Sequence, residues 1–214
     1  MTTPTHSWSV GETRSLTVKA ARGVGMPWGV AEEAGFALDW LVRRGAPGVT
    51  AMCRYLSFYA VGVEQGRTPV TMPGTEGDGW VCPLSFGTAI SDGAIALPDG
   101  EFKLREPIIL IPFLAACAGS GALRLTIGDM SIIISSNGFH SEMIPHSLLI
   151  AEAECRIASI AADDLSTATQ QVTRVDSTMT ECIAVLTRFA HNTYAPATEA
   201  SRLAGAGAGL SDND

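Results

Sequence analysis

The sequence Leu123-Arg-Leu-Thr-Ile-Gly-Asp-Met-Ser-Ile-Ile-Ile134 contains two apolar runs on either side of a turn. Leu123, Leu125 and Ile127 alternate with other residues, as do Ile132 and Ile134 in the second run. Alternation places such residues on one face of a strand, and Gly128-Asp129 fits a tight turn. The stretch therefore predicts a β-hairpin with one apolar face.

Further turn signals extend this hairpin into an antiparallel β meander. Asn137-Gly138 predicts a second hairpin that leads into a strand over Phe139 to Ile144. Pro112 is expected to start a short helix that Gly119 ends. Other strands are predicted over Trp80 to Ile90, Pro107 to Ile111 and Leu149 to Ile157, with a further one before Val175.

Helices are predicted on both sides of the meander. Ser9 and Glu12 have the spacing of a capping box, so the first helix starts near Val10 and stops at Gly23. Two more helices are predicted after Pro27 and Pro47, because proline suits a first helical turn. A last helix follows Thr178 and Glu181, a second pair with capping-box spacing.

This order of elements predicts an α+β fold, with an N-terminal helical segment, an antiparallel β meander, and a C-terminal helix with an extended tail. We expect one domain over residues 1–214. It would comprise a helical subregion (1–62), a loop rich in Gly and Pro (63–79), a mainly β subregion (80–175), and a helix with its tail (176–214).

Composition excludes several classes of protein. The formal net charge is -8, and the basic residues are scattered, which disfavours a nucleic-acid binder. The longest apolar run, Ile108 to Ala118, is too short to span a bilayer, and the first residues do not resemble a signal peptide. Five cysteines without a Cys-x-x-Cys motif indicate reduced thiols and a cytoplasmic location.

The first candidate site is the segment His140-Ser-Glu142-Met-Ile-Pro-His146. On a strand, His140 and Glu142 point to the same face, and His146 follows a proline that allows it to turn inward. Two imidazoles and a carboxylate suit acid–base chemistry or a metal site, and a solvated polar edge has the same composition.

The second candidate site is the tail, where Tyr194, Thr198, Glu199, Ser201 and Arg202 lie within nine residues. Arg202 and Ser201 suit a carboxylate or phosphate, because the guanidinium donates two parallel hydrogen bonds. The backbone at Gly205 and Gly207 is able to curl around an anion. A flexible Gly-Ala terminus is the alternative interpretation.

Two resemblances follow from these stretches. The run Ala20-Ala-Arg-Gly-Val-Gly-Met-Pro-Trp-Gly-Val-Ala-Glu-Glu-Ala34, together with the tail from Thr193 to Gly209, resembles an uncharacterised bacterial domain-of-unknown-function family (DUF3726-like) over nearly the whole chain. That family implies a cytoplasmic metabolic setting and no assigned activity. The opening helices also resemble type-2 malate/lactate dehydrogenases, whose Ser-His-Gly motif is absent after Arg44-Gly45.

The sequence thus favours an enzyme of lyase, hydratase or isomerase type acting on a small carboxylate or amino-acid-derived metabolite. Arg202, Ser201 and Thr198 would bind the anion with Gly205 and Gly207. Glu199, His140 or Glu142 would move protons and Tyr194 would orient the substrate.

Two alternatives remain: a non-catalytic binder or accessory subunit, and a metal-dependent hydrolase using His140, Glu142 and His146. We expect no cofactor other than that metal, a small anionic metabolite as partner, no nucleic acid or membrane partner, and a homodimer.

Overall fold

The computed structural model describes residues 7–67, 80–142, 145–161 and 172–194. Its helices are α1 (Val10–Gly23), α2 (Trp28–Arg43), α3 (Gly48–Glu64), α4 (Pro83–Ser91), α5 (Ile111–Cys117) and α6 (Thr180–His191). Its strands are β1 (Trp8–Ser9), β2 (Phe102–Arg105), β3 (Ala122–Ile127), β4 (Met130–Ser135), β5 (Gly138–His140), β6 (Glu152–Ile160) and β7 (Arg174–Val175).

The α+β fold is confirmed. Five strands form an antiparallel sheet in the order β2-β6-β3-β4-β5, and β1 pairs with β7 in a separate two-stranded sheet. The hairpin at Gly128-Asp129 is present, with Gly128 at φ +55. The second predicted hairpin is also present, but its loop is Ser136-Asn137, because Gly138 is the first residue of β5 and pairs with Ser135. Strand β5 ends at His140.

The helices cover one face of the five-stranded sheet, with α5 packed against β3, β4 and β5. The side chains on that face are buried, as Leu125, Ile132 and Ile134 show at 0% exposure. Their neighbours Arg124 and Ser131 point the other way and are exposed. The meander therefore presents a polar face to solvent, as antiparallel sheets commonly do.

The predicted start of α1 is confirmed in detail. The Ser9 side chain accepts a hydrogen bond from the Glu12 amide, and the Glu12 carboxylate accepts one from the Ser9 amide. The predicted capping box at Thr178 and Glu181 is wrong. Met179 is the N-cap of α6, and the Asp176 carboxylate accepts a hydrogen bond from the Thr178 amide instead.

Two predicted strands are helical in the structure. Trp80 to Ile90 contains α4, because Cys82 caps the first turn and Pro83 occupies the first helical position. Pro107 to Ile111 begins with a 3₁₀ turn over Pro107–Leu110, which leads directly into α5. The strand predicted over Leu149 to Ile157 lies three residues later, at Glu152–Ile160.

None of the helices in these ranges is long and apolar enough to cross a bilayer.

Candidate functional site

Strand pairing brings side chains from three separate strands onto the exposed face of the sheet. Arg124 on the central strand β3 pairs with Ile133 on β4, and Ile133 pairs in turn with His140 on β5. Directly paired residues point to the same face, so Arg124 and His140 stand on either side of Ile133. Thr126 and Ser131 form the next pair on that face.

These residues surround a depression of about 540 Å³, here called the sheet-face cavity. Ile133 supplies an apolar surface between the charged groups, and Arg124 supplies a guanidinium. The cavity is lined by Arg124, Thr126, Asp129, Met130, Ser131, Ile133, His140, Ser141 and Glu142. It therefore combines an anion-binding group with an imidazole and carboxylates, which suits a small polar molecule carrying a carboxylate.

His140 and Glu142, both predicted as site residues, lie together in the sheet-face cavity. His146 does not join them, because it lies in the 3₁₀ turn Pro145–Leu148 and lines a separate depression beside Pro47 and Asp176. Among the residues that the structure describes, no group of three or more His, Cys, Asp and Glu side chains is arranged to hold a metal ion. The metal triad predicted from spacing is thus not assembled.

Tyr194 lies apart from the sheet-face cavity. The residue is 59% exposed, and its ring is tilted against that of His191 with 5.6 Å between the centroids. It lines a depression with Ser9 and Glu12. The other predicted tail residues lie outside the described residues: Thr198, Glu199, Ser201, Arg202, Gly205 and Gly207. Their predicted roles stay predictions.

Arg124 was missed by the sequence interpretation. In the sequence, Arg124 appears only as a polar residue in an alternating strand. It is far along the chain from His140, so the sequence does not indicate that the two residues are close in the fold. The signal in the sequence was an arginine between apolar residues that were predicted to face inward. Because β3, β4 and β5 pair side by side, Arg124 lies at the edge of the sheet-face cavity.

Glu106 is a second chemically unusual residue that the sequence interpretation missed. Its carboxylate is nearly buried and pairs with Arg54 on α3, with Arg54 Nε 2.9 Å from Glu106 Oε1. The other oxygen, Oε2, is buried without a hydrogen-bond partner. Burial raises the pKa of the Glu106 carboxyl to about 7, against the opposing charges of Arg54 and Arg105.

The backbone of Glu106 is also unusual, with φ +44 and ψ 64, a left-handed conformation that costs a residue with a side chain about 1 kcal/mol or more. It lies between the end of β2 and the 3₁₀ turn, where Pro107 limits the conformations of the residue before it. Strain combined with a perturbed carboxyl is typical of functional positions. The signal in the sequence was a single polar residue, Glu106, between β2 and a run of isoleucines.

Cys82 has a structural role. Its sulfur accepts hydrogen bonds from the Tyr55 hydroxyl at 2.7 Å and the Ser85 amide at 3.4 Å. The residue is 3% exposed and caps the start of α4. Burial raises the pKa of the Tyr55 hydroxyl well above its usual value, and the adjacent Cys82 raises it further. Tyr55 therefore acts as a neutral donor that fixes this corner of the core.

Residues 8–73 match the model of a family described as "Protein of unknown function (DUF3726)". The match covers β1 and the first three helices and confirms the resemblance there. It does not extend to the sheet or the tail, where the predicted resemblance stays a prediction. No curated protein and no solved structure gives a significant match, so the dehydrogenase resemblance has no support.

Proposed function

We propose that the sheet-face cavity binds a small carboxylate-bearing metabolite and catalyses proton transfer on it, in the manner of a lyase, hydratase or isomerase. The observation that carries this proposal is that Arg124, His140 and Glu142 line one depression. The family description assigns no activity, so the proposal rests on the geometry and chemistry of the cavity.

The spacing of the strands sets the size of the ligand. Arg124 and His140 lie two strands apart on the same face, which separates their backbones by about 10 Å. Long side chains shorten this gap, so the space between them suits a molecule of a few carbon atoms over Ile133. A carboxylate on one end would accept two hydrogen bonds from the Arg124 guanidinium.

Proton transfer is assigned to His140 and Glu142. Removal of a proton next to a carboxylate builds negative charge on that carboxylate, and Arg124 would stabilise this charge. One of the two residues would act as the base while the other holds or returns a proton. The hydroxyl groups of Thr126 and Ser131 offer further hydrogen bonds to the ligand.

Hydrogen exchange tests this proposal on a whole class of candidate substrates at once. The protein is incubated in D₂O with a panel of small mono- and dicarboxylates, and proton NMR follows the loss of the C–H signal next to the carboxylate. We expect catalysed exchange with at least one compound. His140→Gln and Glu142→Gln should remove the exchange while binding, measured by saturation-transfer NMR, persists.

Arg124→Gln should weaken binding by about 10- to 100-fold, the range expected for a lost charge-assisted hydrogen bond. Arg156→Gln is the matched control. Arg156 lies on the same face, on β6 opposite Thr126, but pairs with Glu101 and is not among the residues lining the cavity. Equal effects of the two substitutions would overturn the proposed role of Arg124.

Binding that depends on Arg124 without any exchange would support the alternative of a non-catalytic small-molecule binder. Absence of both binding and exchange across the panel would reject the cavity as an anion site.

The proposal also includes a homodimer and an anion-binding tail. Light scattering of the chain with and without Glu199 to Asp214 tests whether the tail contributes to assembly.

A further inference from the structure

The sheet-face cavity is lined by charges of both signs. Arg124 supplies a guanidinium, whereas Asp129 and Glu142 each supply a carboxylate. A second carboxylate on the ligand would lie among like charges after the guanidinium had bound the first, and like charges brought together weaken binding. The charges of the lining therefore disfavour a dicarboxylate and favour a ligand that also carries a cationic group.

The two signs lie at different ends of the cavity. Arg124 precedes the turn Gly128-Asp129 by four residues, which correspond to about 13 Å of extended strand. Strand β5 runs antiparallel to β4, so the chain leaves His140 in the direction of that turn and continues to Glu142. The positive charge thus lies beside Ile133, and the negative charges lie towards the turn.

Arg124 and Asp129 have no charged partners of their own in the described part of the chain. Neither side chain forms a hydrogen bond or an ion pair with another residue described by the structure. By contrast, Arg156 on the same face of the sheet pairs with Glu101. A ligand with a carboxylate and a distant ammonium group would pair with both Arg124 and Asp129.

We propose that the ligand of the sheet-face cavity is an ω-amino carboxylate or a diamino acid, with its carboxylate on Arg124 and its distal ammonium group on Asp129. This inference rests on the function proposed for the cavity. It adds the class of substrate and identifies Asp129 as the residue that selects it.

The separation of the charges sets the position of the amino group. In a simple α-amino acid the ammonium and the carboxylate are attached to one carbon, so both charges lie at the same end of the molecule. The long Arg124 side chain shortens the distance to Asp129, but a span of several carbon atoms remains. Met130 and Ile133 also line the cavity and offer apolar contacts to the hydrocarbon chain of the ligand.

This orientation is compatible with the proposed proton transfer. His140 pairs with Ile133, which pairs with Arg124, so the three residues form one row across the strands. A carboxylate on Arg124 would leave the adjacent carbon near this row, within reach of His140. Asp129 would bind the other end of the ligand and would take no part in the proton transfer. Glu142 keeps the role proposed above and adds negative charge towards the turn.

A matched set of acids tests the inference: 5-aminopentanoate, pentanoate and glutarate. They share a carboxylate and a similar length, and they end in an ammonium, a methyl group and a second carboxylate. Competition saturation-transfer NMR at low ionic strength, where exposed charges are least screened, gives their relative affinities. We expect 5-aminopentanoate to bind about tenfold more tightly than pentanoate, the gain from one charge-assisted hydrogen bond, and glutarate to bind most weakly.

Asp129→Asn should lower the affinity for 5-aminopentanoate about tenfold, to that of pentanoate, and leave pentanoate binding unchanged. Asparagine suits turns, so the variant should keep the turn between β3 and β4. Glu154→Gln is the matched control and should leave the preference intact. Glu154 is an exposed carboxylate on β6 that pairs with Lys103 across the sheet and is not among the residues lining the cavity.

Arg124→Gln separates this inference from the function on which it rests, because it should weaken the binding of 5-aminopentanoate and pentanoate alike. Three results would overturn the inference and leave the proposed function in place, provided that binding depends on Arg124. These are equal affinities for 5-aminopentanoate and pentanoate, tighter binding of glutarate, and a preference that survives Asp129→Asn. Absence of Arg124-dependent binding for the whole set would reject both.

Discussion

Glu106 illustrates how a single residue links strain, burial and charge. Its backbone is left-handed, its carboxylate pairs with Arg54, and one of its oxygens is buried without a hydrogen bond. A buried carboxylate is costly when it is ionised, because the protein replaces its hydration only in part. Its protonation state therefore affects the stability of the whole fold.

We predict that this residue lowers the free energy of unfolding as the pH rises from about 4.5 to about 7. The pKa is raised from 4.5 to about 7, so between these values the folded chain holds a proton that the unfolded chain has released. The loss reaches at most ~3 kcal/mol and is complete above the folded-state pKa. Urea unfolding at pH 5 and pH 8 measures it.

Glu106→Gln should remove this part of the pH dependence, because the amide does not titrate. Glu154→Gln, a change at an exposed glutamate on β6, is the control and should leave the dependence intact. If Glu106→Gln and the unchanged protein lost the same stability between pH 5 and pH 8, the burial argument would be wrong.

At the scale of elements, α1 and α6 approach so closely that a glycine is required between them. A Cβ at Gly23 would lie 1.8 Å from the Phe189 carbonyl oxygen of α6. The carbonyl oxygen is part of the α6 backbone, so a change of side-chain rotamer cannot move it away. The two helices would have to separate to accommodate a methyl group.

Gly23→Ala is therefore expected to lower the free energy of unfolding by about 1–3 kcal/mol, the range for overpacking. Gly11→Ala is the matched control in the same helix, since nothing lies within 4 Å of its Cβ position. That change should be neutral or stabilising by up to about 1 kcal/mol. Thermal and urea unfolding of the two variants distinguish these outcomes, and equal stabilities would refute the close approach.

The elements themselves were predictable where a local interaction determines them. The Ser9–Glu12 capping box starts α1, and Gly128 turns the chain between β3 and β4. Prediction failed at α4, because the apolar run from Trp80 to Ile90 suits a buried strand as well as a buried helix. Cys82 acting as a cap and Pro83 at the first helical position decided the outcome.

The site was only partly predictable, for a reason that belongs to the whole molecule. His140 and Glu142 are close in sequence and were found, but Arg124 joins them through pairing across β3, β4 and β5. The residue types of a local stretch do not reveal contacts between residues that are far apart along the chain.

A continuous apolar core predicts cooperative unfolding of the described part of the chain. One cluster of buried residues includes members from the helices and from the main sheet, such as Leu38, Tyr55, Phe113 and Leu125. We expect far-UV and near-UV circular dichroism to give one coincident transition in urea. Separate transitions for helices and sheet would contradict the predicted single domain.

The pairing of β1 with β7 has a consequence for synthesis on the ribosome. Trp8 pairs with Val175, and α1 packs against α6, although nearly the whole described chain separates these partners. Helix α1 also packs against α2, which is made directly after it, so only the side of α1 that faces α6 stays uncovered until α6 leaves the exit tunnel. During that interval this side of the helix is open to chaperones, so α1 reaches its final surroundings only after α6 has been made.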